Sequence, residues 1–139
     1  MKKLHIILVC GMLVGLNSCI PESGSQSLEG EWSCQETSEI YMESMKGTLG
    51  TTIFPVYIAQ DATYENKYFI DNFYQLGSGV QVTIMVSGGR TITIETQTVN
   101  GIEFSGSGVV SFDYNTIDLI YTADDGGGQV DHVTSQCTH

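Results

Sequence analysis

The chain has 139 residues and a mass of 15.1 kDa, enough for one domain with a single core. Only 15% of the residues are charged and the mean hydropathy is close to zero, which excludes a disordered chain and a protein that crosses a membrane several times. The formal net charge is −11, with 16 acidic residues against 5 Lys and Arg. Five cations are too few to neutralise a track of phosphates, which excludes nucleic acid as a partner.

The first 18 residues have the pattern of a secretory signal peptide. Lys2 and Lys3 form a positive start, and residues 4–16 are mostly apolar but too few to span a hydrocarbon core of about 30 Å as a helix. The sequence LNSC, which ends at Cys19, resembles the lipobox of bacterial lipoproteins. This resemblance implies that residues 1–18 are removed and that Cys19 becomes a lipid-modified N-terminus that anchors the protein to a membrane. The alternative is an ordinary signal peptide followed by a chance cysteine.

Removal of the signal peptide makes the chain more acidic. Three strong bases remain, Lys46, Lys67 and Arg90, against 16 acids, which gives a formal charge of −13. This charge predicts repulsion from anionic lipid headgroups and is compatible with a cationic protein partner. The alternative is that the acidity only keeps an exported protein soluble. Residues 19–28 are polar and contain Gly and Ser, so we predict a flexible tether there, with a reach of about 15 to 18 Å.

From residue 29 onward, apolar and polar residues alternate with a period of two. Val82, Ile84 and Val86 fall on one face, for example, while Thr83 and Met85 fall on the other. This alternation is typical of half-buried antiparallel strands. The predicted strands are approximately 30–37, 52–60, 67–74, 79–87, 90–96, 101–106, 108–114, 116–123 and 129–137.

Short turn sequences rich in Gly, Asn and Asp separate these strands, so consecutive strands are expected to pair as hairpins. We therefore predict one all-β domain over residues 29–139, an antiparallel up-and-down meander of eight or nine strands in a closed or nearly closed barrel. The alternative is a Greek-key β-sandwich, because the number of strands does not fix their connections. Residues 36–46 have the weakest pattern and are predicted to form a loop or a short helical turn.

A family resemblance begins at Gly30-Glu31-Trp32, which is similar to the G-x-W opening of lipocalin-like barrels. Further similar stretches are residues 57–61, 70–74, 97–101, 106–108 and 121–126. Over about residues 29–136 the chain resembles the small lipocalin-like, calycin-type lipoproteins of Bacteroidota. The resemblance implies a barrel with Trp32 closing one end of its core. It also implies a place on the bacterial cell envelope, at the outer membrane, with the periplasmic and the surface-facing leaflet both open.

Two cysteines are available for a disulfide. Cys10 leaves with the signal peptide and Cys19 carries the lipid, so Cys34 and Cys137 remain in an oxidising compartment. They lie on the first and the last predicted strand, which become neighbours only if the sheet closes. A disulfide between them therefore tests the topology, and the alternative is two unpaired thiols.

Three aspartates surround a run of three glycines near the end of the chain. Asp124, Asp125 and Asp131 offer hard oxygen ligands for Ca²⁺, but their spacing does not fit an EF-hand loop. An acidic hairpin turn explains the same residues through backbone preferences. We therefore predict no metal site and no cofactor, and these aspartates are the weak candidates for a cation.

Catalytic motifs are missing from the sequence. Outside the signal peptide the histidines are His132 and His139, and neither G-x-S-x-G nor H-E-x-x-H occurs. We predict that the protein is not an enzyme. An enzyme would require a cleft with convergent carboxylates, or His132 within reach of a nucleophile.

The aromatic residues divide into a predicted core and a candidate binding set. The predicted core aromatics are Trp32, Phe54, Phe69, Phe73, Phe104 and Phe112. The candidate ligand-binding aromatics, which would stack on a sugar or a flat apolar molecule at an open end, are Trp32, Tyr57, Tyr68, Tyr74 and Tyr121. Packing in the core or at an interface is the alternative for the tyrosines.

These features predict a lipid-anchored, non-enzymatic binding module of the cell envelope. Its ligand would be a small apolar molecule or a glycan in the barrel mouth, or a protein on the acidic surface. The alternative is a structural or accessory subunit of an envelope complex with no ligand of its own. A polar-lined cavity favours the first function, whereas a filled interior with an exposed apolar patch favours the second.

Overall fold

The computed structural model describes residues 27–40 and 51–139, so the predictions for the signal peptide, for Cys19 and for most of the 36–46 stretch lie outside the described residues. The strands are β1 (Gly30–Ser38), β2 (Thr51–Gln60), β3 (Lys67–Asp71), β4 (Gln81–Ser87), β5 (Thr91–Val99), β6 (Ile102–Val110), β7 (Thr116–Asp124) and β8 (Val130–Thr138). Each pairs antiparallel with the next, and β8 pairs with β1 to close a barrel. This confirms the predicted meander and excludes the Greek-key sandwich. The described residues contain no helix long and apolar enough to cross a membrane.

Because consecutive strands run in opposite directions, the connections collect at two ends of the barrel. The lower end carries residues 27–29, 61–66, 88–90 and 111–115. The upper end carries residues 72–80, 100–101 and 125–129. Alternation along the strands directs every second side chain inward, as in β8, where four buried residues alternate with five exposed ones.

The lower end of the interior is closed by Trp32. Its ring is buried, and its indole N–H donates a hydrogen bond to the carbonyl of Leu28 at 2.9 Å. The ring also meets the imidazole of His139 edge-on, with centroids 4.8 Å apart. Trp32 therefore holds both ends of the described chain against the core, in the place that the family resemblance implies.

The sequence Gly106-Ser107-Gly108, at the predicted boundary between strands 101–106 and 108–114, lies inside β6. Those two predicted strands are therefore one, and of the predicted eight or nine strands the barrel has eight. Gly106 is needed for close approach rather than for a turn, because a Cβ atom there would lie 2.5 Å from the Cβ of Tyr121 on β7. The missing side chain leaves room for the Tyr121 side chain inside the barrel.

Substitution of Gly106 by Ala is expected to destabilise the fold by about 1 to 3 kcal/mol, because the added methyl group overpacks the β6–β7 contact. Urea unfolding at constant pH measures this change. The matched control is Ser107→Ala, an exposed neighbour on the outer face, which should change stability by less than about 0.5 kcal/mol. Equal stability of the two variants would contradict the close-approach explanation.

The prediction that Phe112 lies in the core is also wrong. It is 82% exposed, in the turn between β6 and β7, and the guanidinium of Arg90 lies 3.4 Å from its ring centroid. Hydrogen bonds to the Ser111 hydroxyl from the backbone N–H groups of Asn115 and Thr116 fix this turn beyond the last inward position of β6. Phe69 is half-buried, whereas the other four predicted core aromatics are buried.

Candidate functional site

A break in the strand pairing shapes the upper end. The short strand β3 pairs only with the last four residues of β2, and residues 72–76 lie beside the rest of that edge. The side-chain amide of Asn72 donates to the carbonyl of Pro55 at 2.7 Å, and that of Gln75 donates to the hydroxyl of Thr52 at 2.8 Å. Pro55 has no N–H, so it suits an edge where no strand follows.

The backbone of this segment is strained. Asn72, Tyr74 and Gln75 have φ values of 61°, 53° and 58°. Asn often adopts this left-handed conformation, whereas Tyr and Gln do so at a cost of about 1 kcal/mol or more each. The burial of Phe73 offsets this strain. Its ring packs against that of Tyr121, and the two ring centroids are 4.6 Å apart. Backbone strain of this kind is often found at binding sites.

A buried carboxylate holds the segment in place. Asp131 on β8 is 1% exposed and accepts hydrogen bonds from the hydroxyl of Ser38 at 2.6 Å and the phenol of Tyr74 at 2.8 Å. Its other oxygen accepts the backbone N–H of Ile40 at 3.1 Å. Asp131 therefore joins β8 to the end of β1 and to the strained segment.

A second carboxylate, Glu36 on β1, lies nearby and is 5% exposed. It accepts a hydrogen bond of 2.5 Å from the phenol of Tyr121 and another from the hydroxyl of Ser135. Burial raises the pKa of Glu36 to about 7, with a contribution from the charge of Asp131, although the two hydrogen bonds oppose the rise. Burial and the charge of Glu36 also raise the pKa of Tyr121, so Tyr121 stays a neutral donor.

A cavity of about 380 Å³ opens at this end, and we call it the upper pocket. Its lining residues are Glu36, Ser38, Thr52, Tyr74, Gln75 and Leu76. Five of these six side chains end in polar atoms, and the volume lies within the range of about 300 to 1,000 Å³ that is typical of small-molecule sites. The upper pocket is therefore the candidate functional site.

The structure does not bring the five candidate aromatics together. Trp32 is in the lower core, Tyr57 is exposed on the outer face of β2, and Tyr68 lines a different pocket at the lower end. Tyr74 and Tyr121 lie near each other at the upper end, with ring centroids 6.3 Å apart. Of the five, Tyr74 lines the upper pocket.

Sequence reasoning missed Glu36 as a site residue and named Asp131 only as a weak candidate for a cation. The alternation that places Trp32 and Cys34 on the inner face of β1 also places Glu36 there, so a signal was present. Asp131 is likewise at an inward position of β8. The proximity of these two carboxylates follows only from the closure of the barrel, which brings β1 beside β8.

The three candidate cation ligands are separated. Asp124 and Asp125 accept the backbone N–H groups of Gly126 and Gly127, both at 2.8 Å, as residues of a tight turn do. Asp131 instead faces the interior. Within residues 27–40 and 51–139 there is no group of three His, Cys, Asp or Glu side chains that could hold a metal ion. His132 is exposed on the outer face of β8.

The predicted disulfide between Cys34 and Cys137 is confirmed. The two residues are direct partners in the β1–β8 register, and both are buried. The bond therefore crosses the seam that closes the barrel, two residues along β1 from Glu36.

No protein-family model matches the chain, and no curated protein sequence matches it. The family resemblance therefore stays a prediction, and the function is argued from the geometry of the site.

Proposed function

We propose that the protein is a lipid-anchored, non-enzymatic binding module of the bacterial cell envelope that takes a small hydroxylated ligand, of the glycan class, in the upper pocket. The observation that carries the proposal is the lining of that pocket: a carboxylate, hydroxyl groups, an amide and a tyrosine ring. Such groups exchange hydrogen bonds with sugar hydroxyls, and a tyrosine ring packs on a sugar face.

The use of the carboxylates supports binding rather than catalysis. Both oxygens of Asp131 accept hydrogen bonds from the barrel itself, and Glu36 accepts two from β7 and β8. Both acids thus serve to join strands and to hold the strained segment. The anchor is supported by the LNSC sequence at Cys19, since several acyl chains hold a protein stably at a membrane.

Replacement of Thr52 by Val is expected to weaken binding of a glycan about fivefold, because it keeps the shape of the side chain but removes one hydroxyl partner of the ligand and the acceptor of the Gln75 amide. The full lipoprotein in detergent would be screened on a glycan array, and the affinity of a ligand found there would be measured by calorimetry. The matched control is Thr93→Val, on the exposed outer face of β5, which should bind as the unaltered protein does.

Three results would contradict this proposal. Failure of every glycan to bind at millimolar concentration would exclude glycans as the ligand class. An equal loss of affinity in both threonine variants would exclude the upper pocket as the binding site. Release of a cleaved sugar would make the protein a glycosidase, with Glu36 and Asp131 as its carboxylate pair.

The second candidate is an accessory subunit of an envelope complex. It is favoured by an exposed apolar row on the outer face of β2, formed by Ile53, Pro55 and Tyr57, and by the packed core around Phe73. Apolar patches of this kind mark protein interfaces. This candidate takes precedence if no small ligand binds in the upper pocket.

A further inference from the structure

We infer that the lower end of the barrel docks on the zwitterionic lipid interface of the membrane that holds the anchor, so that the upper pocket faces away from the bilayer. This inference rests on the proposed lipidation of Cys19. It adds to the proposed function a membrane-facing surface and a direction for the binding site.

The described chain enters the barrel at the lower end. Leu28 is buried there, and its carbonyl accepts the indole N–H of Trp32. Cys19 and Ser27 are eight residues apart, and eight residues span at most about 29 Å even when fully extended. An acylated Cys19 therefore keeps the lower end within about 30 Å of the lipid, and the upper end lies a strand length beyond it.

Two aromatic side chains project into solvent at this end. Phe112 in the 111–115 turn is 82% exposed, and Tyr64 in the 61–66 loop is 59% exposed. Among the described residues the large exposed Phe and Tyr side chains are these two and Tyr57, which lies on the outer face of β2. Aromatic side chains are enriched at the level of the lipid headgroups, where their rings meet both apolar and polar surroundings.

Each of these aromatics has a cation near it. The guanidinium of Arg90 lies 3.4 Å from the ring centroid of Phe112. The ammonium of Lys67 lies between two rings, 5.1 Å from the centroid of Phe69 and 5.9 Å from that of Tyr64. Among the described residues these are the two strong bases, and both are at the lower end. Aromatic rings with basic groups near them fit the phosphate-bearing headgroup level of a membrane.

Carboxylates at the same end select the kind of lipid. Glu29, Glu65 and Asp113 are exposed at the lower end, and Asp61 forms an ion pair of 3.4 Å with Lys67. This mixture of charges complements a headgroup that carries both a phosphate and an ammonium group. The formal charge of −13 on the exported chain repels purely anionic lipid, as the sequence analysis predicts.

The contact can be weak and still orient the protein. Two aromatic side chains would not hold a free protein on a membrane against its loss of translational freedom. The anchor keeps the surface next to the lipid, so the contact becomes intramolecular and acts at a high effective concentration. In the described part of the upper end, exposed Val130 instead lies beside Asp124 on the neighbouring strand, without a strong base.

Spin labels at the two ends test this orientation. Ala62→Cys places a label in the same exposed loop as Tyr64, and Val130→Cys places one at the upper end. The lipidated protein would be reconstituted in vesicles of phosphatidylcholine and phosphatidylethanolamine, and collisions of each label with oxygen and with a water-soluble nickel complex would be measured. The native disulfide is buried and does not compete for the label.

The label at position 62 is expected to show a several-fold higher oxygen-to-nickel collision ratio than the label at position 130. Adding Tyr64→Ser and Phe112→Ser to the Ala62→Cys protein should return that label to the aqueous value. Substituting phosphatidylglycerol for part of the zwitterionic lipid should lower the ratio at position 62.

The outcomes separate the docking surface from the proposed anchor. A protein that floats with the vesicles while the label at position 62 stays aqueous overturns the docking and leaves the anchor standing. A protein that neither floats nor carries acyl chains on Cys19 overturns both. A contact that strengthens with anionic lipid overturns the zwitterionic assignment.

Discussion

Replacement of Glu36 by Gln is expected to raise the free energy of unfolding by about 3 kcal/mol at pH 8 and to leave it nearly unchanged at pH 4. The pKa of this carboxyl rises from 4.5 in the unfolded chain to about 7 in the barrel. Between these values the folded state holds a proton that the unfolded state has lost. The contribution of Glu36 to the stability should therefore be greatest below pH 4.5, fall as the pH rises to about 7, and level off above it.

Gln removes this dependence because it cannot ionise, while its carbonyl still accepts the phenol hydrogen of Tyr121. Urea unfolding of both proteins at pH 4, 6 and 8 measures the difference. Glu95→Gln is the matched control, since Glu95 is exposed on β5 and its replacement should shift stability equally little at every pH. Parallel pH profiles for the native protein and the Glu36→Gln variant would contradict the assignment.

This titration also bears on the upper pocket. Glu36 lines that pocket, so its carboxyl changes from a hydrogen-bond donor and acceptor to an acceptor alone near neutral pH. Asp131 lies near Glu36, and both of its carboxylate oxygens accept hydrogen bonds from the protein. The phenol of Tyr74 donates to Asp131, so the strained segment is attached to a carboxylate that lies near Glu36.

Much of the fold follows from the alternation of apolar and polar residues. In β8 the inward positions, which include Val133 and Cys137, are those that the period of two selects. Short Gly- and Asn-containing turns fix the order of strands, because each hairpin pairs neighbours in the sequence. The pairing of β1 with β8 has no such local signal. Only the presence of Cys34 and Cys137 on the first and the last predicted strand indicated it.

The wrong predictions concern residue types that occur in two structural settings, such as Gly in turns and in strands. Gly106 resembles a turn residue, but only the approach of β7 reveals that it makes room for the Tyr121 side chain. Phe112 resembles a core residue, but its turn places it beyond the end of β6. Tyr74 belongs to a predicted strand that ends early, so its position against Asp131 depends on three left-handed residues that no periodicity indicates.

Loss of the Cys34–Cys137 disulfide is expected to have the largest effect on stability, about 4 to 5 kcal/mol. The bond links residues 103 apart in sequence, so in the chain-entropy model it removes much of the freedom of the unfolded chain. It also crosses the pairing of β1 with β8, two strands that are not consecutive in the sequence. The variant Cys34→Ala/Cys137→Ala should therefore unfold at a much lower urea concentration than the native protein.

The reductant provides the control for the effect of the smaller side chains. Dithiothreitol should lower the unfolding midpoint of the native protein and leave that of the double variant unchanged, since the variant has no bond to reduce. Any difference that remains between the reduced native protein and the variant measures the packing lost at two buried positions. If the native protein were equally stable when oxidised and when reduced, the seam between β1 and β8 would be held by its hydrogen bonds and packing alone, and the disulfide would be dispensable for closure.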